Sequence, residues 1–512
     1  MVVTSISATL QGIEATPVYC ETSIALGCRI LIIGLPDTAV KESRDRIESA
    51  MREVGLKMPR KQITVNLAPA DVRKEGSLYD VPIAVAIMAA GEIVPSDKLK
   101  DYMLVGELSL GGTVKEVKGC LPFAILARQM GLKGIIVPRE NAQEAAVVNN
   151  LEVLIADNLK QIADFLSDKC ELEKLEVNTR EMFAKAERSF MADFKDVKGQ
   201  AQVKRAFAIA AAGGHNLILV GPPGAGKSMM AKCLPSILPP LSLSEALETT
   251  KIHSVAGMRA STGLIAQRPF RSPHHTISST ALVGGGTNPM PGEVSLAHNG
   301  VLYLDELPEF NRSVLEVLRQ PLEDRQITIA RAKNTVTYPS NLMLIASMNP
   351  CPCGYYSSPT HQCTCTELQV KKYLGKISGP LLDRIDLQVN VQPLSFDEVS
   401  KTTVAEPSSA IRERVVKARK IQEERYKEHP LIHCNAMMTP ALLREHCQLD
   451  EKALKLLQSV MVKLDLSARA YDRILKVART IADYEGSENI NSTHVAEAIS
   501  YRNLDRSSWG QG

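Results

Sequence analysis

The residues of this chain best suited to chemistry begin with the run Gly221-Pro222-Pro223-Gly224-Ala225-Gly226-Lys227-Ser228. It follows the apolar stretch Asn216-Leu217-Ile218-Leu219-Val220, which reads as a buried strand, and the segment from Lys227 to Leu234 reads as helix. Strand, glycine-rich loop and helix in that order form a phosphate-binding loop, whose backbone N–H groups turn toward a polyphosphate. In such a loop Lys227 reaches the β- and γ-phosphates and the Ser228 hydroxyl ligates Mg²⁺. A second apolar strand, Val301-Leu302-Tyr303-Leu304, runs into Asp305 and Glu306. A carboxylate at a strand end beside a phosphate loop can hold the Mg²⁺ water shell, which suits Asp305, and its neighbour Glu306 is placed to polarise an attacking water. A third apolar run, Leu342 to Met348, ends in the amide Asn349, positioned to orient that water or the γ-phosphate. Together these residues predict nucleotide hydrolysis rather than nucleotide binding alone.

Two further groups stand out. Cys351, Cys353, Cys363 and Cys365 place four of the eleven cysteines within fifteen positions directly after Asn349. Four thiolates can close a tetrahedral zinc site with Zn–S of about 2.3 Å, although C-x-C is tighter than the usual C-x-x-C. His361 is an alternative ligand, and a set of free thiols is the alternative reading. The segment from Gln326 to Pro339 reads as a β-hairpin turning near Ala332 to Asn334, with Arg331 and Lys333 at its tip. Basic groups there suit contacts with a nucleic-acid backbone. Arg268, Phe270 and Arg271, ahead of Gly284-Gly285-Gly286, read as a mobile inserted loop that adds cations and an aromatic ring for the same purpose.

The elements that must position these groups follow from pattern and length. At 512 residues the chain needs more than one core, and its 45% apolar and 23% charged content is that of an ordinary soluble globular protein. A net charge of +3 leaves any nucleic-acid surface local. The cysteines, with no secretory signal pattern, predict a reducing, cytoplasmic setting, and no apolar run reaches membrane-spanning length. Residues 1–165 alternate β-type runs (Ile30–Pro36, Ile63–Ala68, Gly134–Pro138) with helical ones such as Val81–Ala90. Residues 166–192, charged around Glu171 to Glu176, read as a helical connector. Residues 193–400 form a second α/β unit carrying the phosphate loop. Lys401 to Ala410 reads as a turn-rich break opening a helical region, 401–512, with apolar Leu454, Leu457, Val460, Met461 and Leu464 at helix spacing. The fold class expected is α/β with a helical C-terminal domain.

The assembly from Phe194-Lys195-Asp196-Val197-Lys198-Gly199-Gln200 to Gly379-Pro380-Leu381-Leu382-Asp383-Arg384 resembles the AAA+ ATPases, in the branch holding magnesium-chelatase motors and the MCM helicases. The resemblance implies that Val197 lies in the segment packing on adenine, that Asn349 is sensor 1 and that Arg384 is an arginine finger offered to a neighbouring subunit's ATP. Arg469 matches the sensor-2 arginine of the lid, with Arg473 one turn on as the alternative. A finger acting in trans implies a ring, and a hexamer is the family expectation. The 326–339 hairpin resembles the hairpin that points into the pore of the helicases.

Residues 21 to about 145 resemble the proteolytic domain of Lon and the matching domain of the recombination ATPase RadA, through Lys74-Glu75-Gly76-Ser77-Leu78-Tyr79-Asp80-Val81-Pro82, Val105-Gly106-Glu107-Leu108 and Gly131 to Pro138. Lon needs a serine activated by a lysine. The position matching that lysine holds Leu121, so the domain is expected to be non-proteolytic, with a Ser77–Lys118 dyad as the alternative. The order of Lon-like domain, AAA+ core with a C-x-C insertion at 351–365 and helical lid resembles the YifB/ComM family of magnesium-chelatase-like ATPases over nearly the whole chain. That resemblance implies a ring-shaped, ATP- and Mg²⁺-dependent DNA motor promoting branch migration in recombination during natural transformation. A chelatase-type remodelling motor and an ATP-dependent protease are the competing readings.

Overall fold

The computed structural model describes residues 2–186, 190, 192–258, 260, 262–286, 289–330, 335–356, 361–393, 405–463 and 466–502. Its contacts divide the chain into two compact units, Met1–Lys185 with Leu243–Ala266, and Ala186–Ser242 with Gln267–Gly512. The stretch 193–400 therefore does not stay in one unit. The helix Leu243–Val255 packs into the first, where the Gly119 N–H donates to the Ser254 carbonyl and Lys251 pairs with Glu14 at 3.0 Å.

The first unit is built on an eight-stranded mixed sheet. In spatial order its strands are Glu173–Lys174, Glu152–Ile155, Gly134–Val137, Tyr102–Leu104, Val2–Gln11, Glu14–Ala25, Gln62–Ala68 and Ile30–Ile33. The helix Asp80–Ala90 is buried on every side, as its uninterrupted apolar sequence requires. Its one charged member, Asp80, is matched by Arg46 at 2.7 and 2.9 Å and by the Leu108 N–H at 3.1 Å. A buried carboxylate needs such a set of donors.

Glu171 to Glu176 departs from the expected helix. Glu173–Lys174 is instead an edge strand pairing antiparallel with Leu154 and Ile155, and helix begins only at Thr179. The adjoining strand Glu152–Ile155 has an edge to satisfy, and the alternation Glu-Leu-Glu-Lys-Leu-Glu lets Leu172 bury while charges line the outside, which blunts a sheet edge.

The second unit has a five-stranded, all-parallel sheet. In order across it are Phe270–Arg271, Val301–Leu304, Met343–Met348, Leu217–Val220 and Leu387–Asn390. Its three central strands are buried residue for residue, the pattern of a parallel sheet covered on both faces. Phe270–Arg271 is thus an edge strand rather than part of a mobile insertion. Phe270 stacks on Tyr303 with ring centroids 5.9 Å apart.

The helical region follows: Ser408–Arg425, Pro440–His446, Glu451–Lys463, Ala468–Glu485 and Ser492–Ser500. Ile411, Val415, Ile474, Ala478 and Ile481 join one core with the sheet residues Leu217, Leu219 and Ile345. Helix starts at Ser408, inside the expected break, because Pro407 takes extended geometry (φ −70°, ψ 149°) and needs no N–H there. In Glu451–Lys463 only Ala453 and Leu457 are buried, Leu454 is exposed, and Leu464 lies outside the described residues. No helix among the described residues is long and apolar enough to cross a membrane.

Candidate nucleotide-hydrolysis site

Parallel strands present all their carboxyl ends along one edge of the sheet, and that edge is where open α/β sheets bind ligands. Here the strand Leu217–Val220 runs into Gly221, Val301–Leu304 into Asp305, and Met343–Met348 into Asn349. Register does the rest. Val220 lies opposite Met348, Leu304 opposite Ala346, and the Gly221 N–H donates to the Met348 carbonyl at 3.2 Å. The loop itself curls through Gly224 and Gly226 at φ +77° and +82°, a left-handed conformation that a side chain would strain. The helix Lys227–Cys233 follows directly.

Lys227 is buried, and its ammonium donates to the carbonyls of Gly221 (2.6 Å) and Pro222 (2.9 Å) and to Oδ1 of Asn349 (3.0 Å). Burial pulls its pKa below the ordinary lysine value, against the opposing fields of Asp305 and Glu306. The Ser228 hydroxyl donates to Asp305 Oδ2 at 2.8 Å. Burial resists ionisation of Asp305, but the hydroxyls of Ser347, Ser228 and Tyr303 outweigh it, and the carboxyl sits below its usual range. Ser347 and Tyr303 were not legible as site residues. Both belong to apolar strands, and only the pairing of those strands brings the two hydroxyls within 3.1 Å of each other.

Glu306 takes a left-handed backbone (φ 53°) and exposes its carboxylate, with the nearest His275 nitrogen 4.0 Å away. That conformation swings Glu306 out of the direction of the strand, so Asp305 and Glu306 do not share one environment. Asp305 is held by hydroxyls and Glu306 reaches toward solvent. His274 and His275 lie ring to ring at 4.1 Å rather than converging on a common point.

The arginines separate into paired and open ones. Arg384 is buried, donates to the Pro380 carbonyl at 2.7 Å and pairs with Glu323; its Nε has no hydrogen-bond partner among the described residues. Arg473 pairs with the buried Asp386, whereas Arg469 is exposed. Arg268 and Arg271, expected as cations for a nucleic-acid backbone, are engaged internally. Arg268 donates to the carbonyls of Pro239 (2.7 Å) and Asn299 (2.8 Å), and Arg271 makes a two-pronged pair with Glu293 at 2.6 and 2.7 Å. The fold brings the Pro239 and Asn299 carbonyls to Arg268 and the Glu293 carboxylate to Arg271, so both guanidiniums are satisfied within the chain. Val197 is buried with Phe194 and Phe207 in the core. The hairpin strands Gln326–Ala330 and Thr335–Pro339 pair antiparallel, while Arg331 and Lys333 lie outside the described residues.

The four cysteines converge. Cys351, Cys353, Cys363 and Cys365 place their sulfurs within 4.8 Å of one another, with Cys351–Cys353 at 3.3 Å, Cys353–Cys363 at 3.5 Å and Cys351–Cys363 at 3.7 Å. A tetrahedral cation with Zn–S of about 2.3 Å sets its sulfurs about 3.8 Å apart, so the donor set and spacing fit such an ion. The N–H of Tyr356 donates to the Cys351 sulfur and that of Cys353 to the Cys365 sulfur. Backbone donors from Tyr355 and Thr364 bring the Cys353 thiol down to about 5. His361 instead stacks on Tyr355 with centroids 4.8 Å apart.

Against known families, residues 193–399 match the model "Magnesium chelatase, subunit ChlI", 20–141 "Subunit ChlI of Mg-chelatase" and 405–502 the ChlI C-terminal model. The chain is 44% identical over 497 residues to YifB of Escherichia coli, covering 97% of this chain and 96% of that one. The chain belongs to the YifB/ComM family of magnesium-chelatase-like AAA+ proteins. The family's competence protein ComM of Haemophilus influenzae is 42% identical over 498 residues, again 97% and 96% of the two chains. Lon protease 2 of Bacillus subtilis is 27% identical over 125 residues, 24% of this chain and 22% of its own. In this YifB/ComM chain the Ser77 hydroxyl donates to Glu107, and the Lys118 side chain runs over Gly257, where a Cβ would lie 2.9 Å from its Cε. Among the described residues no hydrogen bond joins Ser77 to Lys118. The buried Leu121 N–H donates to Glu144 at 2.8 Å.

Proposed function

We propose that this chain hydrolyses ATP and couples the hydrolysis to movement along DNA as a member of a homo-oligomeric ring, a hexamer by family analogy. The observation carrying the hydrolysis reading is the meeting of Lys227, Ser228, Asp305, Glu306 and Asn349 on one edge of one parallel sheet. Ser228 and Asp305 are the residues that would hold Mg²⁺, which supplies charge neutralisation at the phosphates. Lys227 would exchange its carbonyl partners for phosphate oxygens, and Asn349, already bonded to it, would orient the terminal phosphate. Glu306 is the base toward water. Arg384 serves a neighbouring subunit only by giving up Glu323 for a phosphate, an exchange of one anion for another. Its orphaned Nε favours that exchange. Arg469, exposed on the lid, fits sensor 2 better than Arg473, which Asp386 already holds. Val197 would reach adenine through its backbone, since its side chain lies in the core.

Replacing Lys227 with alanine is expected to weaken nucleotide binding and reduce turnover at least ~100-fold, the loss of a phosphate-binding charge; an equilibrium titration with a fluorescent ATP analogue and a phosphate-release assay would read both. Unchanged binding would move the site elsewhere.

The DNA reading rests on the 326–339 hairpin and on the likeness to a competence protein. Its test is the ATPase rate without DNA and with single strands, duplex and a branched junction. Arg331→Ala with Lys333→Ala is expected to lower DNA stimulation severalfold while leaving the DNA-free rate in place. Stimulation that survives the double change overturns the pore assignment. A chelatase-type remodelling motor is the second reading, favoured by the magnesium-chelatase models that match all three parts of the chain. The first unit is non-proteolytic in this proposal, because Ser77 is committed to a carboxylate rather than to a lysine. The four cysteines would hold a structural zinc ion, and the protein would act in the cytoplasm.

A further inference from the structure

The cysteine cluster starts two residues after Asn349, and it meets the phosphate loop directly at one point and through Asn349 at another. Gly354 has φ +86°, and its N–H closes a turn onto the Cys351 carbonyl at 3.0 Å. A Cβ on Gly354 would lie 2.5 Å from Cδ of Pro223, so the turn rests on the phosphate loop's own proline with no room for a methyl group. At the other end, Cys365 directly precedes Thr366, which caps the helix Glu367–Leu374 with a reciprocal capping box. That helix carries the buried Tyr373, whose hydroxyl faces the Asn349 backbone. Both ends of the cysteine segment therefore lead back to Asn349, and Gly354, just after Cys353, meets Pro223. Asn349 in turn accepts from the Lys227 ammonium.

We propose that the four cysteines form a control site in which a thiophilic divalent cation of the zinc class sets the position of Pro223 and Asn349, so that nucleotide binding depends on metal loading. Loading replaces thiol protons by one cation with no electron transferred, and it fixes the distance between Cys351-Cys353 and Cys363-Cys365. Without it, the Gly354–Pro223 contact and the approach of Tyr373 to Asn349 lose the brace that holds them together. This inference rests on the nucleotide-site reading above and extends it from a structural ion to a regulatory one.

The test uses the full chain and reads metal content separately from nucleotide affinity. Elemental analysis is expected to find zinc near one per chain, and removal with a chelator to weaken binding of a fluorescent ATP analogue reversibly, with affinity restored by added zinc. The deciding variant is Gly354→Ala. It keeps all four cysteines, so zinc stays bound, yet the clash with Pro223 is expected to weaken nucleotide binding roughly tenfold. Lys227→Ala serves as the opposite control, retaining zinc and losing nucleotide. Three results would each overturn the proposal: no zinc bound or taken up, metal-free protein of unchanged circular dichroism binding nucleotide as tightly as loaded protein, or Gly354→Ala binding like the wild type. A loaded chain that binds the analogue but never hydrolyses ATP would sink the hydrolysis reading, while the coupling is still decided by affinity.

Discussion

Changing Glu306 to glutamine is expected to cut ATP turnover by ~10²–10⁴-fold, the usual worth of a positioned general base, while leaving nucleotide affinity close to that of the wild type. The two neighbouring carboxylates stand in different surroundings. Asp305 is surrounded by the hydroxyls of Ser228, Ser347 and Tyr303 and is held ionised below its ordinary range, which suits a group that keeps its charge throughout. Glu306 has none of those donors on its carboxylate and stands out from the strand on a left-handed backbone. Glutamine preserves its size and removes the proton acceptor. Affinity measured with the fluorescent analogue, set against phosphate release, separates the two roles. A fall in turnover of less than about tenfold would place the base elsewhere.

The second large effect lies away from the phosphates. Asp386→Ala is expected to destabilise the second unit by about 3–5 kcal/mol, the cost of removing one partner from a buried ion pair. Asp386 is 4% exposed, accepts from the Asn216 N–H at 3.0 Å, pairs with Arg473 and faces His215 at 3.4 Å. Burial alone would raise its pKa, yet Arg473 and His215 hold it well below the usual carboxylate range. A depressed folded-state pKa contributes stability that is present in full above the unfolded value of about 3.9 and is lost as the pH falls toward the folded one. Denaturant unfolding at pH 7 reads the loss directly. A change under about 1 kcal/mol would mean the pair contributes nothing net. Because the Arg384 carbonyl accepts from Asn216 and from Arg473, the same variant should also displace Arg384.

The phosphate loop and the strands entering Asp305 and Asn349 were readable because their signals are local: an apolar run, then a polar residue where it stops. Arg268 and Arg271 were misread for the opposite reason. Their partners, Pro239, Asn299 and Glu293, lie outside any local window, and a cation's availability depends on what folding brings to it. The meeting of Asp386 with Arg473 and His215 was out of reach likewise, because only the sheet and the lid helix Ala468–Glu485 bring the three together. Glu171 to Glu176 has helix-forming residues, but an edge strand in need of a partner outweighed their local preference. The cysteine cluster could be found by counting, whereas its contact with Pro223 could not.

The return of Leu243–Ala266 to the first unit bears on how the chain is made. A ribosome releases residues from the N-terminus, and domains tend to fold in that order. Here the first unit cannot be completed when residue 185 emerges, since Gly119 still waits for the Ser254 carbonyl. By the time residue 266 appears, the strand Leu217–Val220 is already out, while the neighbours that cover it, Met343–Met348 and Leu387–Asn390, are still to be synthesised. The strand Leu217–Val220 therefore spends part of translation as an unpaired apolar segment, flanked in the sequence by two parts of the other folding unit. Synthesis of this protein passes through a stage at which an apolar strand destined for full burial is bare, and a nascent-chain chaperone would have its work there.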